Sequence, residues 1–245
     1  VTFEDCTWNG FRNCVVLDPD TGSAGNLDFL RWVRCSFHPH DVGVRVRGGQ
    51  PFGLSFVDCT MFGLDPTGAS ACYGYGFFWD STASAGGSIR FEGGTIAYLA
   101  VGICSSYSIP ISLIEVDSEN VKQMVQMNDA SGAGMFAVNF LGGRYDFGVS
   151  GDGAGHTYLG VNDIPASNTY YLSVIGGNLT LKGTTFNTGY VNHPNWRIYV
   201  RGEVSIVSEG CTYPNTTPFK REGSVGIDGS SNLTTASGTW SSGDK

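Results

Sequence analysis

No run of apolar residues approaches the roughly 20 needed to cross a bilayer as a helix, and no signal-peptide pattern opens the chain. Membrane insertion is therefore not expected. Basic residues are scarce: 14 Lys and Arg stand against 22 Asp and Glu, a formal net charge of −8. That balance disfavours nucleic acid as a partner, since neutralising phosphates calls for a basic stripe. Charge of either sign is thin, at 15% of residues, so few long charged helix faces can be built. The seven cysteines cannot all pair, and none sits in a CxxC motif. There is no initiator Met, and Val1 opens in the middle of a strand-like phrase, which reads as a processed product or a fragment. What is abundant is glycine, 36 residues of 245, suited to many tight corners, and 41% hydrophobic content, enough for one continuous core.

A phrase of eight residues recurs: apolar, polar, aromatic, two variable positions, a small residue, Ser or Thr, and a large apolar residue. It reads Val1-Thr2-Phe3-Glu4-Asp5-Cys6-Thr7-Trp8, returns from Leu30 to Phe37 and from Leu54 to Met61, and has a fourth copy from Ile89 to Ile96. Weaker copies begin at Ile111, Val138 and Leu179, and a last one around Val204 carries one extra residue before Cys211. The small position falls at 6, 35, 59, 94, 116, 143, 184 and 211, so the steps run from 22 to 41 residues. Self-similarity at such periods marks a stacked-repeat architecture. Alternation of apolar and polar residues, with β-branched and aromatic types at the apolar positions, is a strand period. A second short strand follows most copies, at Cys14–Leu17, Val42–Val46, Gly76–Trp79, Val101–Cys104 and Met124–Met127. The expected fold is all-β: a single-stranded parallel β-helix of about eight rungs over residues 1–222. Residues 223–245, rich in Gly, Ser and Thr, are expected to cap the last rung or cross to a neighbouring subunit, because a solenoid end exposes unpaired strand edges.

In such a stack, Phe3, Trp32, Phe56, Phe91, Leu113 and Phe140 form one inward column and Cys6, Cys35, Cys59 and Gly94 a second. The cysteines read as packed free thiols, which suits assembly in a reducing compartment. The phrase, its spacing and the insertions within its two longest steps, Gly68–Gly87 and Gly151–Thr169, together resemble the right-handed parallel β-helix of the pectin-lyase-like superfamily, over roughly Val1 to Pro214. That resemblance implies the fold strongly and the function weakly, since the superfamily includes lyases, hydrolases, phage tailspikes and non-catalytic fibres.

Candidate chemistry lies on the outward columns. The register puts Asp58, Glu92 and Glu115 on three successive rungs, with Arg31 and Arg90 on the same face. Carboxylates one rung apart would stand roughly 5 to 6 Å from each other, as in a retaining glycosidase, and two rungs apart would suit inversion. Glu92, Asp58 and Glu115 are thus candidate catalytic carboxylates, with Arg90 beside them. The competing reading is a solvated ladder, since Asp5, Arg34 and Asp58 alternate in sign along one column. The superfamily's polygalacturonase motifs appear only in part, as Gly155-His156-Thr157 and Arg197-Ile198-Tyr199. His38-Pro39-His40-Asp41 is a weak metal candidate and reads better as a polar turn; no metal and no cofactor are expected. Aromatic residues crowd two insertions, and Tyr73, Tyr75, Trp79 and Tyr158, with Arg31, are candidate contacts for sugar rings.

These readings lead to one leading function and two alternatives. The first is a spike or fibre module of a bacteriophage virion, assembled in the host cytoplasm, homotrimeric, and binding a cell-surface glycan. The alternatives are a secreted or virion-borne polysaccharide lyase or glycoside hydrolase, and a purely structural decoration protein.

Overall fold

The structure is a computed structural model, and it describes residues 1–18, 28–48, 52–64, 74–79, 87–105, 109–121, 123–127, 137–147, 172–187, 198–213, 219–222 and 239–240. The first rung is β1 (Thr2–Glu4) and β2 (Thr7–Leu17), the second β3 (Leu30–Val33) and β4 (Ser36–Val46). The third is β5 (Leu54–Val57), β6 (Thr60–Phe62) and β7 (Tyr75–Trp79), and the fourth β8 (Ile89–Glu92), β9 (Thr95–Ala97) and β10 (Val101–Ser105). The fifth is β11 (Ile111–Ile114), β12 (Asp117–Val121) and β13 (Gln123–Met127), followed by β14 (Ala137–Leu141) and β15 (Arg144–Phe147) of the sixth. The stack continues through β16 (Leu172–Lys182), β17 (Thr185–Asn187) and β18 (Ile198–Glu209) to β19 (Phe219–Glu222) and β20 (Thr239–Trp240).

Every strand from β1 to β19 pairs in parallel with its equivalents one rung away, and the pairings sort into three ladders. The first runs β1–β3–β5–β8–β11–β14 and ends on the second halves of β16 and β18. The second runs from the first halves of β2 and β4 through β6, β9, β12 and β15 to β17, with a last bridge from Thr185 to Thr212. The third joins the second halves of β2 and β4 to β7, β10, β13, the first halves of β16 and β18, and β19. This is a three-faced parallel β-helix, and its first ladder has eight strands, one for each copy of the phrase. Among the described strands only β20 runs antiparallel, with Trp240 opposite Phe219.

The inward column stacks as its spacing dictates. Phe3 faces Trp32, Trp32 faces Phe56, Phe56 faces Phe91, and Leu113 and Phe140 follow in register. Strand spacing of about 4.8 Å suits offset ring stacking, and Trp32–Phe56 and Phe56–Phe91 centroids stand 4.7 and 4.4 Å apart with nearly parallel planes. A second stack begins with Trp8 on Phe37, 4.9 Å apart, inside the second ladder. Among the described residues, the large hydrophobic side chains left exposed, Val1, Phe3, Phe11, Val16, Phe29 and Phe52, belong to the first rung or to the approaches to β3 and β5. Rings at that end have a neighbour on one side only.

One element of the phrase differs from the sequence reading. The last copy starts at Ile206, not Val204: Leu179 pairs with Ile206 and Lys182 with Glu209, with no extra residue. Residues 204 and 205 complete a strand that passes from the third ladder into the first without a break.

The corner after each copy explains the small position. The residue before it has a positive φ on all eight rungs, namely Asp5, Arg34, Asp58, Gly93, Glu115, Gly142, Gly183 and Gly210. On six rungs a single left-handed residue redirects the extended chain, and at Gly93–Gly94 and Gly142–Gly143 two in succession do so, while the N–H still bonds to the neighbouring rung, as in Asp58 N–H to the Glu92 carbonyl at 2.8 Å. The next side chain then points into the narrow angle between two ladders. There the Cys59 thiol donates to the carbonyls of Val57 and Trp32 at 3.4 and 3.5 Å, and the Thr184 hydroxyl bonds Phe140, Gly142 and Lys182 carbonyls.

Cys6, Cys14, Cys35, Cys59, Cys104 and Cys211 are free thiols, and burial pushes the Cys59 and Cys14 thiols up to about 11. The thiolate, not the thiol, is the reactive species. A thiol probe at neutral pH is therefore expected to label Cys59 very slowly in the folded protein, and the wholly buried Cys35 and Cys104 are out of its reach. Addition of denaturant without reductant should release most of the seven for reaction; three protected pairs found by mass spectrometry would contradict the free-thiol core.

Candidate functional site

The outward side of the first ladder carries the residues singled out by the sequence. Thr2, Arg31, Ser55, Arg90, Ser112, Asn139 and Thr180 line one column in that order, and Glu4, Val33, Val57, Glu92, Ile114, Leu141 and Lys182 the next. Arg31 is exposed. Arg90 donates to the Glu92 carboxylate at 2.9 and 3.2 Å, a pair within one strand, both members half-exposed.

Asp58 and Glu115 stand in the corner column with Gly93 between them, one column away from Glu92. Each lies over a glycine of the rung that follows: the Asp58 carboxylate occupies the place a Gly93 side chain would take, and the Glu115 carboxylate that of Gly142. Glu115 also accepts the Gly143 N–H at 3.3 Å. At the head of the same column Arg34 grips Asp5 with two bonds of 2.8 and 2.9 Å, which holds the Asp5 carboxyl below its ordinary value. The Arg34 guanidinium is raised in turn, first by that bond and then by the charges of Asp5, Glu4 and Asp58. In the column order Glu92 has only Val57 and Ile114 for neighbours, so the three candidate carboxylates do not share one column. The ladder of alternating charge accounts for Asp5, Arg34 and Asp58.

The aromatic candidates fare differently. Tyr73 and Tyr158 lie outside the described residues. Trp79 cannot offer a face to a ligand, because it is 0% exposed: its strand pairs in register with Val46 and Ser105, and alternation turns Phe77 and Trp79 into the core. Tyr75, also buried, belongs to a separate apolar cluster with Val42, Phe78, Val101 and Cys104. His38-Pro39-His40-Asp41 is not a turn. It runs within β4, where Asp41 pairs with Arg12 and His40 Nδ1 faces the Leu64 carbonyl at 3.3 Å. Among the described residues no group of three or more His, Cys, Asp or Glu could hold a metal ion.

The second ladder presents an arrangement that the phrase does not announce. Outward from it, Thr7, Ser36, Thr60 and Thr95 follow one another on four rungs, then Asp117 and Arg144. Beside these hydroxyls lie three half-buried rings. His38 and Phe62 have centroids 5.8 Å apart, and Phe62 and Tyr98 stand 4.8 Å apart, so the three rings form one strip across rungs two to four. Tyr98 has φ 54°, an unusual conformation for a bulky residue. It is held there from both ends: its N–H bonds the Glu119 carbonyl and its hydroxyl donates to the Glu119 carboxylate, each at 2.9 Å. Burial lowers the His38 pKa, which favours the neutral ring. Sequence alone offered little to find this strip, since the column Asn9, His38, Phe62, Ala97 and Glu119 has no common residue type. Tyr98 lies one residue past the end of its strand.

No family model matches this chain, and no curated protein or solved structure does so either.

Proposed function

We propose that the chain is a glycan-binding β-helix module of a bacteriophage spike or fibre, with the His38–Phe62–Tyr98 strip and its hydroxyl ladder as the binding face. The observation that carries this reading is the strip itself. Aromatic rings with apolar faces and polar tips, set beside a row of hydroxyl groups, match the two surfaces of a pyranose. Strand pairing sets successive rungs about 4.8 Å apart and the rings 5.8 and 4.8 Å apart, close to the length of one sugar in an extended chain. The pectin-lyase-like relationship, the virion setting and the trimer belong to the same proposal. Buried free thiols support it by suiting assembly in a reducing cytoplasm followed by life outside the cell.

Binding without cleavage is the form of the reading favoured by the first ladder. Asp58 and Glu115 pack over glycines and Glu92 is engaged by Arg90, so each candidate carboxylate has a structural task. The experiment is co-sedimentation with host cell-surface polysaccharide, run beside an assay for released reducing ends or unsaturated products. Binding with no product, and no effect of Glu92→Gln on binding, is the expected result. If product appears and Glu92→Gln abolishes it while binding persists, the chain is a depolymerase and its acid lies on the first ladder.

A further inference from the structure

We infer that the strip selects glycans lacking acidic groups, an inference that rests on the glycan-binding reading above and names its ligand class. The argument is electrostatic. At the end of the strip stand Asp117 and Glu119, both exposed. Asp117 receives the backbone N–H of Arg144 at 3.1 Å, and Glu119 receives the Tyr98 hydroxyl. Neither carboxylate has a cationic side chain for a partner among the described residues. Arg144, which pairs in register with Asp117, is already engaged: its guanidinium binds Asp146 with two bonds of 2.8 and 3.2 Å. His38, its pKa lowered by burial, adds little compensating charge at neutral pH.

The binding face therefore carries a local excess of two negative charges on a chain of net charge −8. A uronate or sialate carboxylate brought to Tyr98 would meet the Glu119 carboxylate with no neutralising side chain paired to it among the described residues. Repulsion of that kind rejects a ligand as effectively as a steric clash. A neutral sugar ring avoids the repulsion and stacks on Phe62 and Tyr98. A glycan with free amines gains attraction in addition, and that attraction weakens with salt. Glu119 has a double part, since its bond to the Tyr98 hydroxyl fixes the ring while its exposed carboxylate carries the charge.

A glycan array containing neutral, amine-bearing and acidic members tests this on the intact chain. Signal confined to neutral and amine-bearing members is expected, with acidic members at least tenfold weaker at low salt. Glu119→Gln should narrow that gap and weaken amine-bearing members selectively. Phe62→Leu keeps an apolar residue but removes the flat face, and should reduce all binding tenfold or more with an unchanged melting temperature. Strongest binding by acidic members would overturn the selectivity while leaving the glycan-binding reading in place. Binding that persists in Phe62→Leu would show that the strip is not the platform. An array with no signal from any class would overturn the glycan-binding reading itself.

Discussion

Replacing Phe56 by alanine is expected to destabilise the protein by about 3 to 5 kcal/mol, read as a shift in denaturation midpoint. Phe56 is wholly buried and touches rings on four sides. Trp32 and Phe91 stack on its two faces, and Phe37 and Phe77 meet it edge-on, each with centroids 6.1 Å away. Its removal leaves a hole one rung thick in a column whose backbone spacing is fixed by hydrogen bonds, so neighbours cannot close in along the axis. The same substitution at Phe3 should cost well under half as much, since Phe3 is 37% exposed and, among the described residues, has only Trp8 and Trp32 as ring partners. Phe56→Leu, which conserves most of the volume, should cost less than about 1.5 kcal/mol. Equal losses at Phe3 and Phe56 would mean that the column does not bear the stability of the stack.

The first ladder was legible because one phrase carried it. Aromatic residues recur in phase at Phe3, Trp32, Phe56 and Phe91, and the small residue three places later marks the corner on every rung. Pairing in register then fixes the outward columns without further information. The third ladder was legible only as a set of short strands. Its inward and outward sides could not be told apart for Tyr75 to Trp79, where all five residues are buried and alternation leaves no trace. That is why Trp79 passed for a surface ring. The second ladder hid its face for the opposite reason: its inward column, Trp8, Phe37, Met61 and Ile96, is regular, while its outward column mixes Asn, His, Phe, Ala and Glu. A ligand-facing column need not repeat, because nothing in the stack requires it to. The proline within β4 added to the misreading of 38–41 as a turn, although the strand simply bends there, with shifts of register on either side of Phe11 and Pro39.

The small position just after the corner carries the second large effect. Gly94→Ala is expected to cost about 3 to 5 kcal/mol, combining the left-handed penalty of about 1 to 2 kcal/mol with a backbone clash. Gly94 has φ +78°, and a Cβ there would run into the Cys59 carbonyl oxygen and come within 2.7 Å of Cys59 N and 2.9 Å of its carbonyl carbon. Those atoms cannot swing aside, because the Cys59 carbonyl holds the Thr95 N–H at 2.9 Å and so joins the third rung to the fourth. Gly183→Ala supplies the comparison. Gly183 has φ +60°, and its added Cβ would meet nothing within 4 Å, so only the conformational penalty applies. The sequence marks both sites as glycine, yet the close approach of two rungs exists at one of them alone. Urea titrations of the two variants should therefore differ by about 2 to 3 kcal/mol, with Gly94→Ala the weaker protein. Equal losses would mean that the corner tolerates a methyl group between the rungs, and that Gly94 is glycine for its left-handed conformation and not for want of room.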